Sequence, residues 1–271
     1  MISSPLRFFS AAGAALVLSV VTSAADLSAV AATKTEPAMI AKARARIGPE
    51  SAIAAVKSIH YVGTLITTDP ADPTKQTRAA IDIVFQKNDK DGPVTIKQRI
   101  SATSDKMIET TALDDYEAWQ RKQDAADATK WQQTLLGKEQ VKRLRANTWE
   151  TLAFFRGLDT RGGRIQDLGA VTVDGVACQK IAFIHEETIV FYRYFDQATG
   201  RLVLTETEAG GTLREQGEIV TAGLRFPKSI LTTNKLAKGQ TQTVTINIEK
   251  VTVNEAFPPA FFAVPGLSTH K

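Results

Sequence analysis

Cys178 and His185 are the one pair whose types and proximity suggest a nucleophile and its base. Their separation of seven residues argues against it. On one strand an odd separation puts two side chains on opposite faces, and at about 3.3 Å per residue these two lie about 20 Å apart. Cys178 therefore reads as a small buried core residue. His60, His185 and His270 share no metal-ligand spacing. Residues 88–92, Asn-Asp-Lys-Asp-Gly, contain part of a calcium-loop pattern, but the first ligand falls on Lys87 and the twelfth on Gln98, so they read as a polar hairpin tip. Arg161-Gly162-Gly163-Arg164 has the residue types to grip an anion and reads as a solvated loop. Asp114-Asp115 and Glu186-Glu187 sit in turn-like contexts, without the apolar neighbours that raise a carboxyl pKa for acid–base work. Dinucleotide, phosphate-loop and nucleophile-elbow patterns do not occur. The expectation is a protein with no enzymatic activity, no catalytic residue, no cofactor and no metal.

Composition narrows the class. The 271 residues hold 33 Lys+Arg against 29 Asp+Glu, a net charge of +4. That mild, dispersed excess excludes a typical nucleic-acid binder and leaves room for peripheral contact with an anionic membrane. Its densest cluster is Lys138, Lys142, Arg143 and Arg145, either a solvated helix face or a contact for anionic headgroups. One cysteine excludes a disulfide framework. At the N-terminus Arg7 is the only charge before Asp26, and the 14 residues from Phe8 to Val21 are apolar or small. A membrane span needs about 20 residues, so residues 1–31 read as a signal peptide cleaved after Ala24 or Ala31. No later apolar run approaches that length, and a soluble, exported, periplasmic protein is expected.

The elements follow from periodicity. Ala38 to Arg46 is rich in helix formers and is stopped by Gly48-Pro49, and Pro49 opens a second short helix over Glu50 to Lys57. Strands are expected over Ile59 to Thr67, Ala79 to Gln86, Val94 to Ser101 and Lys106 to Thr111, then a short helix or loop over Asp114 to Lys122. Gly137 to Phe155 is the strongest helix, with Val141, Leu144, Thr148, Leu152 and Phe155 on one stripe. From Val171 onward turn signals recur about every ten residues, beginning with Asp174-Gly175, which marks an up-and-down antiparallel meander. In the last strand Val244, Ile246 and Ile248 share one parity and Val251 and Val253 the other, which predicts a β-bulge near Glu249-Lys250. Helices first and strands later argue an α+β fold in a single domain over residues 38–267. The strand from Thr188 to Phe195 is apolar on both faces, as a strand covered on both sides would be.

Several of these turns resemble those of the periplasmic lipoprotein-carrier superfamily, the LolA/LolB-like outer-membrane lipoprotein-sorting proteins. Val173 to Cys178, Tyr194 to Leu202, Leu224 to Lys228, and Val251 to Asn254 with Phe257, Phe261 and Phe262 carry the likeness at the back. Ala38 to Gly63 is similar at the front, with Pro49 where that family has a second glycine. The resemblance implies a strongly curved, unclosed antiparallel β-sheet, a half-barrel wrapped around helices, with an apolar interior for acyl chains. The expected function is a periplasmic binder or carrier of lipid acyl chains or lipoproteins, its partner a lipid or acylated protein. The alternative is a sensor or interaction module that docks an envelope protein partner. Parity and period select Ile81, Ile83, Phe85, Phe191 and Leu204 from the sheet and Leu144, Leu152 and Phe155 from a movable helix as the ligand-binding interior.

Overall fold

The computed structural model describes residues 36–72, 74–88, 93–208, 210–236 and 240–266. The signal peptide expected over 1–31 and the terminal His270 lie outside the described residues. Among the described residues there are three α-helices: α1 (Ala38–Ile47), α2 (Glu50–Ala54) and α3 (Lys138–Ala153). Six strands precede α3: β1 (Ser58–Thr68), β2 (Gln76–Asn88), β3 (Thr95–Thr103), β4 (Met107–Asp114), β5 (Glu117–Asp124) and β6 (Trp131–Leu135). Seven follow it: β7 (Arg164–Val173), β8 (Val176–Glu186), β9 (Ile189–Asp196), β10 (Leu202–Thr207), β11 (Thr212–Thr221), β12 (Leu224–Lys235) and β13 (Thr241–Val253). They form one antiparallel sheet of 13 strands in the order β6-β5-β4-β3-β2-β1-β13-β12-β11-β10-β9-β8-β7. The expected helices-then-strands division is corrected: the helices are few and the molecule is mostly sheet. Two meanders meet where β1 pairs with β13.

The sheet does not close, and β6 and β7 are its two edges. The chain passes from one edge to the other through α3. A flat sheet of this width would measure about 58 Å at about 4.8 Å per strand. The 16 residues of α3 span about 24 Å. The sheet must therefore curl around the helix, and the side chains of α3 show that it does. At 100° per residue, buried Val141, Thr148 and Leu152 fall on one side of α3, and buried Ala146 and Glu150 on the opposite side. Thr148 donates to Gln98 of β3 at 2.7 Å, while Glu150 accepts from Arg193 of β9 at 2.6 Å. Strands seven places apart in the sheet order thus grip one turn of helix from two sides.

Lys142, Arg143 and Arg145 tie the same helix to the sheet through Glu186, Glu208 and Asp115. Three of the four residues of the basic cluster thus act as struts. At its C-terminal end α3 turns sharply, with Phe154 and Phe155 both at positive φ, +49° and +70°. Side chains of this size rarely adopt that conformation. Arg44 of α1, almost completely buried, holds it there by donating from Nη1 to the carbonyls of Ala153 and Phe154. Its remaining fork pairs with Glu50 at 2.6 Å and 2.8 Å, and that hydrogen bonding holds the Glu50 carboxyl below its usual pKa.

Two local expectations meet the structure differently. The bulge is present: Val62 pairs with Lys250 and Gly63 with Ile248, leaving Glu249 as the extra residue. A Cβ on Gly63 would sit 2.0 Å from the Asn247 carbonyl oxygen, so only glycine fits against the bend. The helix or loop expected over Asp114 to Lys122 is instead the tight β4–β5 turn and most of β5. Its alternation is invisible because Ala118 packs against Val141 on the inner face while Trp119 packs against Val264 on the outer face.

Candidate ligand-binding cavity

The inner face of the curled sheet is apolar by strict alternation. Tyr61 and Leu65 of β1, Ile81, Ile83 and Phe85 of β2, Phe226 of β12 and Ile248 of β13 form one core with Leu152 and Phe154 of α3 and its C-cap. The core is incompletely filled. A cavity of about 440 Å³ remains between it, α1, α3 and strands β9 to β13. That lies within the range of about 300–1,000 Å³ usual for small-molecule sites. Aliphatic and aromatic side chains make the belt: Ile83, Phe85, Ile100, Phe226, Ile230, Ile246 and Ile248 from the sheet, with Phe155 and Phe191 at the far wall.

Polar groups are few and placed. Glu150, its side chain 4% exposed, joins His185 Nε2 at 2.7 Å and Arg193 Nη1 at 2.6 Å. Burial opposes its charge, but the Arg193 guanidinium and the His185 hydrogen bond outweigh it and hold the carboxyl below its usual pKa. The Arg193 guanidinium lies against the rings of both Phe155 and Phe183, 4.8 Å and 4.7 Å from their centroids. Its Nε has no hydrogen-bond partner among the described residues. Glu215 of β11 also lines the cavity, and burial raises its pKa against the pull of Arg193. Burial, and then the Glu215 charge, raise the pKa of Tyr61 in the same space. Arg46 and Arg225 share Glu218, and Arg201 also lines the cavity, so its charged lining toward solvent is mainly cationic.

Of the interior residues selected from sequence, Ile83, Phe85, Phe155 and Phe191 line this cavity. Ile81 and Leu152 lie in the packed core behind it. Leu144 packs beside Val141 and Leu113 at the β4–β5 end. Leu204 lies with Cys178, Tyr194 and Val203 on the opposite face. The register shift between Leu202 and Leu204 reverses the parity of β10, so Leu202 and Thr205 face the cavity instead. Cys178 and His185 are indeed on opposite faces: Cys178 is fully buried with its thiol pKa raised by that burial, and His185 faces α3. Among the described residues no group of acidic, histidine or cysteine side chains could hold a metal ion.

Sequence reasoning missed Glu150, Arg193, Glu215 and Arg44. Two of them carried a signal. Arg193 interrupts the aromatic run Phe191 to Phe195 at an inner-face parity, and Arg44 sits on the apolar stripe Ile40, Ala43, Ile47 of α1. Glu150 and Glu215 looked like ordinary surface acids.

An unclosed antiparallel sheet curled around one helix, with an apolar hollow between them, defines a LolA/LolB-like fold. Solved structures with this architecture include a DUF1329 family protein from Desulfovibrio piger, with TM-score 0.53 and 9% identity over 83% of this chain and 96% of the other. A domain assigned to outer membrane lipoprotein sorting from Vibrio parahaemolyticus gives 0.53 and 9% over 82% and 95%. A LolA superfamily protein from Nitrosomonas europaea gives 0.50 and 11% over 83% and 96%. At such identities the likeness is one of fold. No protein-family model matches the sequence, and no curated protein matches it.

Proposed function

We propose that this chain is a non-enzymatic carrier that takes the acyl chain of a lipid or acylated protein into the cavity under α3. The observation that carries the reading is the unfilled apolar hollow of about 440 Å³, rimmed by Arg46, Arg201 and Arg225. A core of this quality would ordinarily be packed to crystal-like density, and leaving it open costs stability that a ligand restores. Each buried methylene contributes about 0.8 kcal/mol, so ten contribute about 8 kcal/mol before the cost of ordering the chain. The cationic rim suits an anionic headgroup or an anionic membrane surface during loading. Many struts fix α3, so the ligand enters through the rim while the helix stays in place. The export signal expected over residues 1–31 assigns the carrier to the periplasm.

The test is the lipid content of the protein isolated from its native envelope, read by organic extraction and mass spectrometry. Phospholipid or acylated protein, displaced by a fluorescent alkyl probe that binds one to one, is the expected result. Ile246 lines the cavity and is only partly buried, so Ile246→Trp should fill the hollow and abolish probe binding at little cost in stability. A lipid-free protein that ignores the probe ends this reading. A second reading, docking of an envelope protein, has one observation in its favour: edge strand β6 leaves Trp131 and Leu135 54% and 60% exposed. A single partner cross-linked from position 131 is its expected signature.

A further inference from the structure

The outer face of the sheet carries a second cleft, unrelated to the acyl cavity. Residues 258–266 cross β3 to β5 there. Trp119 Nε1 donates to the Phe262 carbonyl at 2.9 Å, Arg99 Nη1 to that of Phe261 at 3.1 Å, and Gln133 Nε2 to that of Pro265 at 3.4 Å. Between this segment and the strands lies a space of about 280 Å³. Arg99 and Arg121 both line it, with Thr110 opposite Arg121 across the β4–β5 ladder.

Both arginines are held in place. The Arg99 guanidinium stacks 4.3 Å from the Phe261 ring, and that of Arg121 lies 4.6 Å from the Trp131 ring. Arg121 donates from Nε and Nη2 to Gln133 Oε1 at 3.0 Å and 2.7 Å. Among the described residues neither arginine has a carboxylate in ion-pair contact, and Arg99 Nε and Nη2 and Arg121 Nη1 keep donors that no described residue accepts. The carboxylate whose charge reaches Arg99 is Asp82, which is itself bonded to His60 at 2.9 Å. Burial, and then the charge of Arg121, lower the Arg99 pKa. Two like charges are therefore kept together on rigid supports with their forks open. A guanidinium fork matches an oxyanion, and one carboxylate would neutralise only one of the pair.

We propose that the cleft between residues 258–266 and strands β3 to β5 binds a phosphate group through Arg99 and Arg121. Dissolved phosphate and a phospholipid headgroup present the same chemistry, and two arms of one experiment separate them. In the first, the intact mature protein is titrated with inorganic phosphate at constant ionic strength, with chloride as control, and tryptophan fluorescence reports from Trp119 and Trp131 beside the site. A saturable response that chloride lacks is expected, at least tenfold weaker in Arg121→Gln and in Arg99→Gln. Arg121→Lys keeps the charge and loses the fork, so it should weaken the response by a smaller factor; it also serves as the reporter if Arg99→Gln fails to fold, which the urea midpoint shows. In the second arm the protein is sedimented with phosphatidylglycerol or phosphatidylcholine vesicles. Co-sedimentation with phosphatidylglycerol that Arg121→Gln loses identifies a headgroup as the source. A phosphate response without co-sedimentation identifies the dissolved anion, and either result supports the site. A phosphate response equal to that of chloride, or one unchanged by Arg99→Gln and Arg121→Gln, overturns it whatever the vesicles do.

Discussion

Replacing Glu150 by alanine should be among the most damaging single changes in this molecule. Its carboxylate is 4% exposed, and the partners it leaves, Arg193 and His185, have side chains 11% and 9% exposed. The substitution strands a mostly buried guanidinium that already has one unpartnered nitrogen. Breaking one side of a buried ion pair costs about 3–5 kcal/mol. With a urea m-value of about 2–3 kcal/mol/M for a domain of this size, the midpoint should fall by about 1–2 M at pH 7. Replacing both partners, Glu150→Leu with Arg193→Leu, should recover most of the loss, because it removes the guanidinium that the single change strands. The Glu150 pKa is lowered on folding, so its contribution is present above the ordinary carboxyl value of 4.5 and is lost as pH falls through the folded value. The gap between wild type and Glu150→Gln should therefore close below pH 4.5. A midpoint shift under about 0.3 M, or a double variant as unstable as the single one, refutes the account.

Other expectations concern groups with the opposite sign or a steric origin. The pKa of Glu215 is raised by burial, so the wild type carries a penalty at neutral pH that vanishes below 4.5; Glu215→Leu should be about 1–2 kcal/mol more stable at pH 7 in urea titrations and bind alkyl probes more tightly. Burial works against a charged His60, but Glu255 and Asp82, at 2.8 Å and 2.9 Å, outweigh it and raise its pKa above 6.5. Its stabilisation is complete below pH 6.5 and is lost as pH rises through the folded value, so proton NMR should place that titration above 6.5 and His60→Gln should cost about 1 kcal/mol at pH 6 and less at pH 8. Gly63→Ala drives a methyl into the Asn247 carbonyl, and thermal unfolding should record a loss of about 2–3 kcal/mol.

Much of the sheet was legible because turn chemistry is local. Asp174-Gly175, the 196–200 turn and Gly223 each fix a reversal by needing positive φ, and Asp174, Gly175, Gly200, Ala222 and Gly223 adopt it. The Glu249 bulge was readable as a change of hydrophobic phase. β9 was readable as a strand apolar on both faces, but β5 was not, since it lacks the alternation that marks a half-wet strand. The β10 bulge hid the facing of Leu204, because no polar residue signals the lost register.

Taken alone, the residues settled where much of the chain turns and most of the stretches that run as strands. Such properties depend on neighbours a few positions away. Only the tertiary structure decided that β6 and β7 become distant edges bridged by α3, that the sheet curls around the helix, and that Glu150, Arg193 and Glu215 meet inside a hollow. Curvature accumulates from small twists over 13 strands, and the meeting of residues 43 positions apart in the chain is set by that sum, which no local pattern records.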